Sequence, residues 1–264
     1  MKQALLYAAM GTFFTFAMTA LGSSVVFFFR KEINQKIQRI FLGFAAGVMT
    51  AASVWSLLIP AIEEAEKMGK IGWIPAVGGF FLGVFFLMAM NALLPHMHLG
   101  DGKVEGLSSS LKRTTLLVLA VTLHNIPEGM AVGLAFALAA QHGSDLSFFT
   151  SAMILALGMG IQNFPEGAAI SLPLRREGVP AGKAFIYGSL SGLVELIFGV
   201  SVVLIFSFIQ PFMPWMLAFA AGAMMFVVVE ELIPEAHLGE HSNSGTLGVM
   251  VGFALMMVLD VALG

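Results

Sequence analysis

Three glutamates, Glu128, Glu166 and Glu195, stand near the middle of long apolar runs. A charged carboxylate at the centre of a hydrocarbon-crossing helix costs about 2.5–3.5 kcal/mol on insertion scales, so such a residue faces a bundle interior and has a partner there. No Lys or Arg occupies the middle of any of these runs. The partner is therefore a proton or a cation that arrives and leaves. Spacing points to the cation. His124 lies four residues before Glu128, and Gln162 four before Glu166; residues i and i+4 share a helical face. Asn125 and Asn163 each stand three before their glutamate, on the same side. Pro127 and Pro165 each remove a backbone donor and release the carbonyls of Leu123 and Ile161. Released carbonyls at that depth are tolerated where they line a cavity or an ion site. One imidazole, three carboxylates and three side-chain amides make a mixed nitrogen and oxygen donor set. It suits Zn²⁺, Fe²⁺ or Mn²⁺, whereas a dedicated Ca²⁺ or Mg²⁺ cage would use oxygen alone. Met49, central in an upstream apolar run, is a further candidate ligand beside its gap-filling role.

Helices that cross a membrane must hold these groups. Apolar residues make up 58% of the 264 and charged residues 11%, against about 45–50% and ~25% in soluble domains. Eight apolar runs, numbered in chain order, cover roughly 5–29, 40–62, 73–94, 114–140, 148–174, 184–209, 215–233 and 245–263; about 20 residues suffice for a crossing. The expected fold class is all-α integral membrane, a single polytopic domain over 1–264 with short connections. The first run is too long for a signal-peptide core of about 7–15 residues. Ten of the thirteen Lys and Arg lie in the connections 1–2, 3–4, 5–6 and 7–8. By the positive-inside rule those connections are cytoplasmic and both termini lie outside. The net charge of −3 leaves no basic excess for nucleic acid. The absence of Cys excludes thiolate ligands and a cysteine nucleophile.

Two repeats relate the runs. His124-Asn125-Ile126-Pro127-Glu128-Gly129 in run 4 matches Gln162-Asn163-Phe164-Pro165-Glu166-Gly167 in run 5. Phe44-Ala45-Ala46-Gly47-Val48-Met49 in run 2 parallels Phe219-Ala220-Ala221-Gly222-Ala223-Met224 in run 7. Further on, Leu58-Ile59-Pro60 parallels Leu232-Ile233-Pro234. Each pair joins an odd run to an even one, so its members cross in opposite senses. Inverted repeats around a midplane site are a signature of transporters.

At these residues the chain resembles the ZIP (Zrt-, Irt-like protein) family of metal-ion transporters, and within it the prokaryotic GufA-like branch. The resemblance extends over essentially the whole chain and is most specific at the H-N-x-P-E-G motif of run 4. It implies a 3+2+3 inverted arrangement, zinc as the commonest substrate, a homodimer and an elevator-like movement. It assigns His124, Glu128, Gln162 and Glu166 to one metal position, with Met49 where some members place a further ligand. It assigns Asn125, Asn163 and Glu195 to an adjacent position, with Glu128 and Glu166 bridging. Many members carry Asp where this chain has Asn163, so three carboxylates here face the four positive charges of two divalent ions.

The path ends carry acids as well. Run 2 ends at Glu63 and Glu64, a candidate entrance outside; run 7 ends at Glu231, Glu235, His237, Glu240 and His241, a candidate exit inside. Acidic mouths concentrate cations. The functional expectation is transport of divalent transition metals into the cytoplasm. Zinc is favoured, Fe²⁺, Mn²⁺ and Cd²⁺ are further candidates, and no resident cofactor is expected. The compact loops and the branch point to a bacterial plasma (inner) membrane. The alternative is a calcium-type cation exchanger, which also uses inverted repeats with Asn, Pro and Glu; His124 argues against it. An intramembrane metalloenzyme is disfavoured, since no H-E-x-x-H pattern supplies an open metal and a base.

Overall fold

The computed structural model describes residues 2–28, 35–93, 96–97, 104–105, 113–143, 146–176, 178–237 and 243–263. Eight long helices account for nearly all of them. α1 is Lys2–Ser23, closed by a 3₁₀ turn at Ser24–Phe27. α2 runs Gln35–Ala52, passes through a π-helical stretch at Ser53–Leu58 and continues as Ile59–Lys67. α3 is Trp73–Leu93, α4 Arg113–Gln141, α5 Leu146–Arg176 and α6 Ala181–Leu204. α7 comprises Met213–Val227, a π-helical stretch at Val228–Leu232 and Ile233–Ala236; α8 is Ser244–Leu263. Seven of the eight are long and apolar enough to cross a membrane. The other, α4, is 29 residues long and is packed among α1, α5, α6 and α7. The protein is an all-α integral membrane protein. A two-residue antiparallel pairing of His96–Met97 with Val104–Glu105 lies in the α3–α4 connection.

Helix limits depart from the apolar runs where charge and backbone bonding compete. α2 and α7 continue past the apolar region, because a helix end in water keeps its hydrogen bonds while its side chains turn polar. α6 stops at Leu204, and a short helical turn at Phe206–Ile209 leads on to Pro211. The π stretches of α2 and α7 immediately precede Ile59-Pro60 and Ile233-Pro234. A proline ring clashes with the carbonyl four residues back. Widening the preceding turn absorbs that clash without ending the helix. Both members of the second repeat therefore share a backbone irregularity as well as a sequence. α4 and α5, by contrast, run on through Pro127 and Pro165 as α-helix.

Small residues knit the helices in pairs. Gly43 and Gly47 of α2 lie on the backbone of Gly245 and Val249 in α8, while Gly248 and Gly252 of α8 lie on Ile40 and Phe44 of α2. Gly79 and Gly83 of α3 meet Trp215 and Phe219 of α7 in the same way. Gly129 and Gly133 of α4 meet Glu195 and Gly199 of α6; Gly167 of α5 meets Thr19 of α1. In lipid, such close backbone approach supplies the packing energy that water expulsion cannot.

These interfaces divide the molecule into two bodies. α1, α4, α5 and α6 all touch one another, and α2, α3, α7 and α8 form the second group. Exchanging α1 with α6, α2 with α7, α3 with α8 and α4 with α5 maps the main interfaces onto one another. α1–α5 becomes α4–α6, α3–α7 becomes α2–α8, α1–α4 becomes α5–α6, and α2–α5 becomes α4–α7. Every exchange swaps an odd helix for an even one, as a 3+2+3 inverted repeat requires.

Candidate metal transport site

The first body carries the polar core. Glu195 of α6 is fully buried and accepts Asn163 Nδ2 of α5 on both its oxygens, at 2.9 and 2.8 Å. Thr19 Oγ1 of α1 donates to the same carboxylate at 3.4 Å. Gln162 Nε2 donates to Glu128 Oε1 at 2.9 Å and to Asn163 Oδ1 at 3.2 Å. Asn125 Nδ2 donates to Ser191 O of α6 at 3.1 Å. Each amide nitrogen thus faces acceptors only, which settles the orientation of all three amides.

Their oxygens are left pointing elsewhere. Asn125 Oδ1, Gln162 Oε1 and Glu166 Oε1 are buried without a donor. A buried acceptor with no partner costs about 1–3 kcal/mol, and here three belong to one neighbourhood. Glu128, Glu195 and Glu231 all lie within electrostatic range of Glu166. Acceptor-only oxygens gathered among buried carboxylates are what a divalent cation satisfies. Among the described residues no three acidic or histidine side chains already stand in metal-coordinating reach, since amides hold Glu128 and Glu195. His124 belongs to α4, but its side chain lies outside the described residues.

A cleft leads to this neighbourhood between the bodies. Met49, Phe41 and Leu42 of α2, Glu128, Gln162 and Glu166, and Val227 and Leu232 of α7 line it. A second cleft, which shares Phe41, Leu42 and Pro165 with it, is lined by Gln38, Ala169 and Pro173 toward the end of the bundle where α2 begins and α5 stops. Met49 is almost fully buried and borders the same space as the glutamates. The opposite half is tightly filled: Leu134, Phe136, Leu155, Met159, Met213 and Leu217 are all fully buried.

The sequence profile of the ZIP Zinc transporter family matches residues 96–260, which include all of α4, α5, α6 and α7. The chain belongs to the ZIP family. Zinc transporter GufA of Myxococcus xanthus is 40% identical over 93% of this chain and 94% of that protein. Zinc transporter ZIPB of Bordetella bronchiseptica is 40% identical over 98% of this chain and 82% of its own length. Zinc transporter ZIP11 of Homo sapiens is 36% identical over 97% of both. Within the ZIP family the chain falls in the GufA-like branch, and it is a transporter of divalent metal rather than an enzyme.

The ends of the path separate the acids of this ZIP protein. Glu231 is buried and faces the core, Glu235 is half-buried, and His237 is exposed. His237 caps α7, with Nδ1 2.9 Å from Ile233 O and Nε2 3.0 Å from Thr246 Oγ1. Glu240 and His241 lie outside the described residues. At the other end Glu63 is exposed, but Glu64 is buried between Lys67 and His142 and is not an open mouth acid in this conformation. Sequence reasoning missed Thr19 beside the Glu195 carboxylate and Thr15, whose carbonyl accepts Asn163 Nδ2. The signal existed for α1: Thr12, Thr15, Thr19 and Ser23 form a buried stripe at helical spacing.

Proposed function

We propose that the chain carries Zn²⁺ into the cytoplasm through the cluster on α4, α5 and α6, as one half of a homodimer in a bacterial inner membrane with both termini outside. The observation that carries this reading is the set of orphaned buried oxygens on Asn125, Gln162 and Glu166, gathered beside Glu128 and bordered by a cleft that neighbours a second one toward the end where α2 begins. That end carries Lys36, Arg39, Arg175 and Lys183, the cytoplasmic side by the positive-inside rule. The conformation is then inward-open. Metal leaving the cleft passes Glu231 and Glu235. In the site, His124, Glu128, Gln162 and Glu166 replace the ion's water, with Met49 at the edge; Asn125, Asn163 and Glu195 form the adjacent position. The amides that hold Glu128 and Glu195 exchange their donors for the cation as it arrives. The orphaned acceptors support a cation site, and the mixed donor set favours a borderline metal over calcium. The exchanger alternative is not carried forward, because the family is that of the ZIP transporters.

Competition tests the substrate class. Proteoliposomes with an internal zinc dye should take up Zn²⁺ saturably. External Cd²⁺, Fe²⁺ or Mn²⁺ should inhibit that uptake, and Ca²⁺ at the same concentration should leave it unchanged. Inhibition by Ca²⁺ as strong as by Cd²⁺ would count against the proposed site.

A further inference from the structure

We propose that Glu64, His142 and Lys67, under the ring of Phe148, form a latch that locks the two bodies together at the end opposite the cleft. Glu64 and Lys67 belong to α2 in the second body. His142 follows α4 and Phe148 begins α5, both in the first. The Glu64 side chain is only 3% exposed, and its Oε1 lies 2.9 Å from Lys67 Nζ and 3.3 Å from His142 Nε2. The other ring nitrogen, His142 Nδ1, lies 3.2 Å from Leu138 O. Both ring nitrogens face acceptors. The His142 ring stacks on Phe148 at 4.2 Å and 16°, and Lys67 Nζ lies 4.4 Å from the Phe148 centroid. One buried carboxylate therefore joins the Lys67 ammonium of its own body and the His142 imidazole of the other beneath an aromatic lid.

Separating the bodies here would take the Glu64 carboxylate from His142 and leave it with Lys67 alone, the partner on its own helix, while it is still shielded from water. Around the latch the seam is filled by buried side chains such as Leu134 and Leu138. Toward the far end the seam holds the clefts beside Met49 and Pro165. A site carried by α4, α5 and α6 reaches the latch end only if this seam opens and the Glu64–His142 contact breaks. The latch therefore holds the inward-open state. Its consequence for flux rests on the transport reading above, whereas the contact itself does not.

The chain has no cysteine, so single introduced thiols report opening cleanly. Leu138 lies one helical turn before His142 on the same face and is 4% exposed. We expect a Leu138→Cys thiol to react with a membrane-impermeant maleimide on the order of fivefold faster when Glu64→Gln or His142→Phe is added. His142→Phe keeps the ring stack and removes only the polar contacts. The double substitution should react no faster than either single one, as partners in one contact require. A Val203→Cys thiol, buried within the first body, should keep its rate. An unchanged rate at Leu138, additive effects, or an equal rise at Val203 would overturn the latch. No metal enters this assay. If wild-type protein carried no zinc, the transport reading would fail while the labelling result stood.

Discussion

Asn163 shows how one side chain sets the charge of the site. Its amide places both hydrogens against acceptors and holds the Glu195 carboxylate through two contacts below 3 Å. Asp at this position would set two carboxylates face to face with no donor between them. We expect Asn163→Asp to melt at a lower temperature than the wild type without metal and to gain a larger upward shift in melting temperature from saturating Zn²⁺. It should also bind more Zn²⁺ per chain, measured by elemental analysis after desalting. Equal metal content in the two proteins would assign Asn163 a packing role alone. A pH dependence follows at the same scale. The site needs neutral imidazole and ionised glutamate, so protons compete with metal. Zinc affinity should weaken as pH falls from about 7.5 to 5, read by titration calorimetry in detergent. A flat profile would mean that the titrating groups are not ligands.

Among the helices, fold and site were legible to different degrees. The odd-to-even pairing of the two repeats already implied an inverted arrangement, because polar residues seldom recur by chance inside apolar runs. The helix partners were not legible. Small-xxx-small spacing says that a helix can be approached closely, not by which neighbour. Only the contacts of Gly43 with Gly245 and of Gly79 with Trp215 show that α2 faces α8 and α3 faces α7. The π stretches were likewise hidden, since the same Ile-Pro step could have ended a helix. Glu128 and Glu166 could be found through their motifs. The hydroxyl support of Glu195 from α1 could not be reached that way, because it depends on which helix lies beside α6. Gly129 tests the close approach that positions Glu195. A methyl group there would meet the Glu195 backbone itself. Gly129→Ala should destabilise the protein by about 1–3 kcal/mol and reduce zinc uptake by displacing Glu195. Gly182→Ala, with nothing within 4 Å, should leave both unchanged. Thermal unfolding in detergent and proteoliposome uptake measure the pair, and an undisturbed Gly129→Ala would mean that α4 and α6 tolerate separation.

At the scale of the molecule, a four-helix body bearing the polar core meets a second body across a seam that holds clefts toward the start of α2 and the Glu64–His142 contact toward the other end. A site reached from one side at a time is the condition for carrying an ion without leaving a continuous pore. Whether metal travels through the cluster is tested most directly by zinc uptake into proteoliposomes holding wild-type protein, His124→Ala or Glu128→Gln. The two variants must first elute and melt like the wild type. We expect saturable uptake by the wild type and none above protein-free vesicles for either variant. Wild-type uptake rates in a folded Glu128→Gln protein would show that the metal takes another route, and would contradict the assignment of this cluster as the transport site.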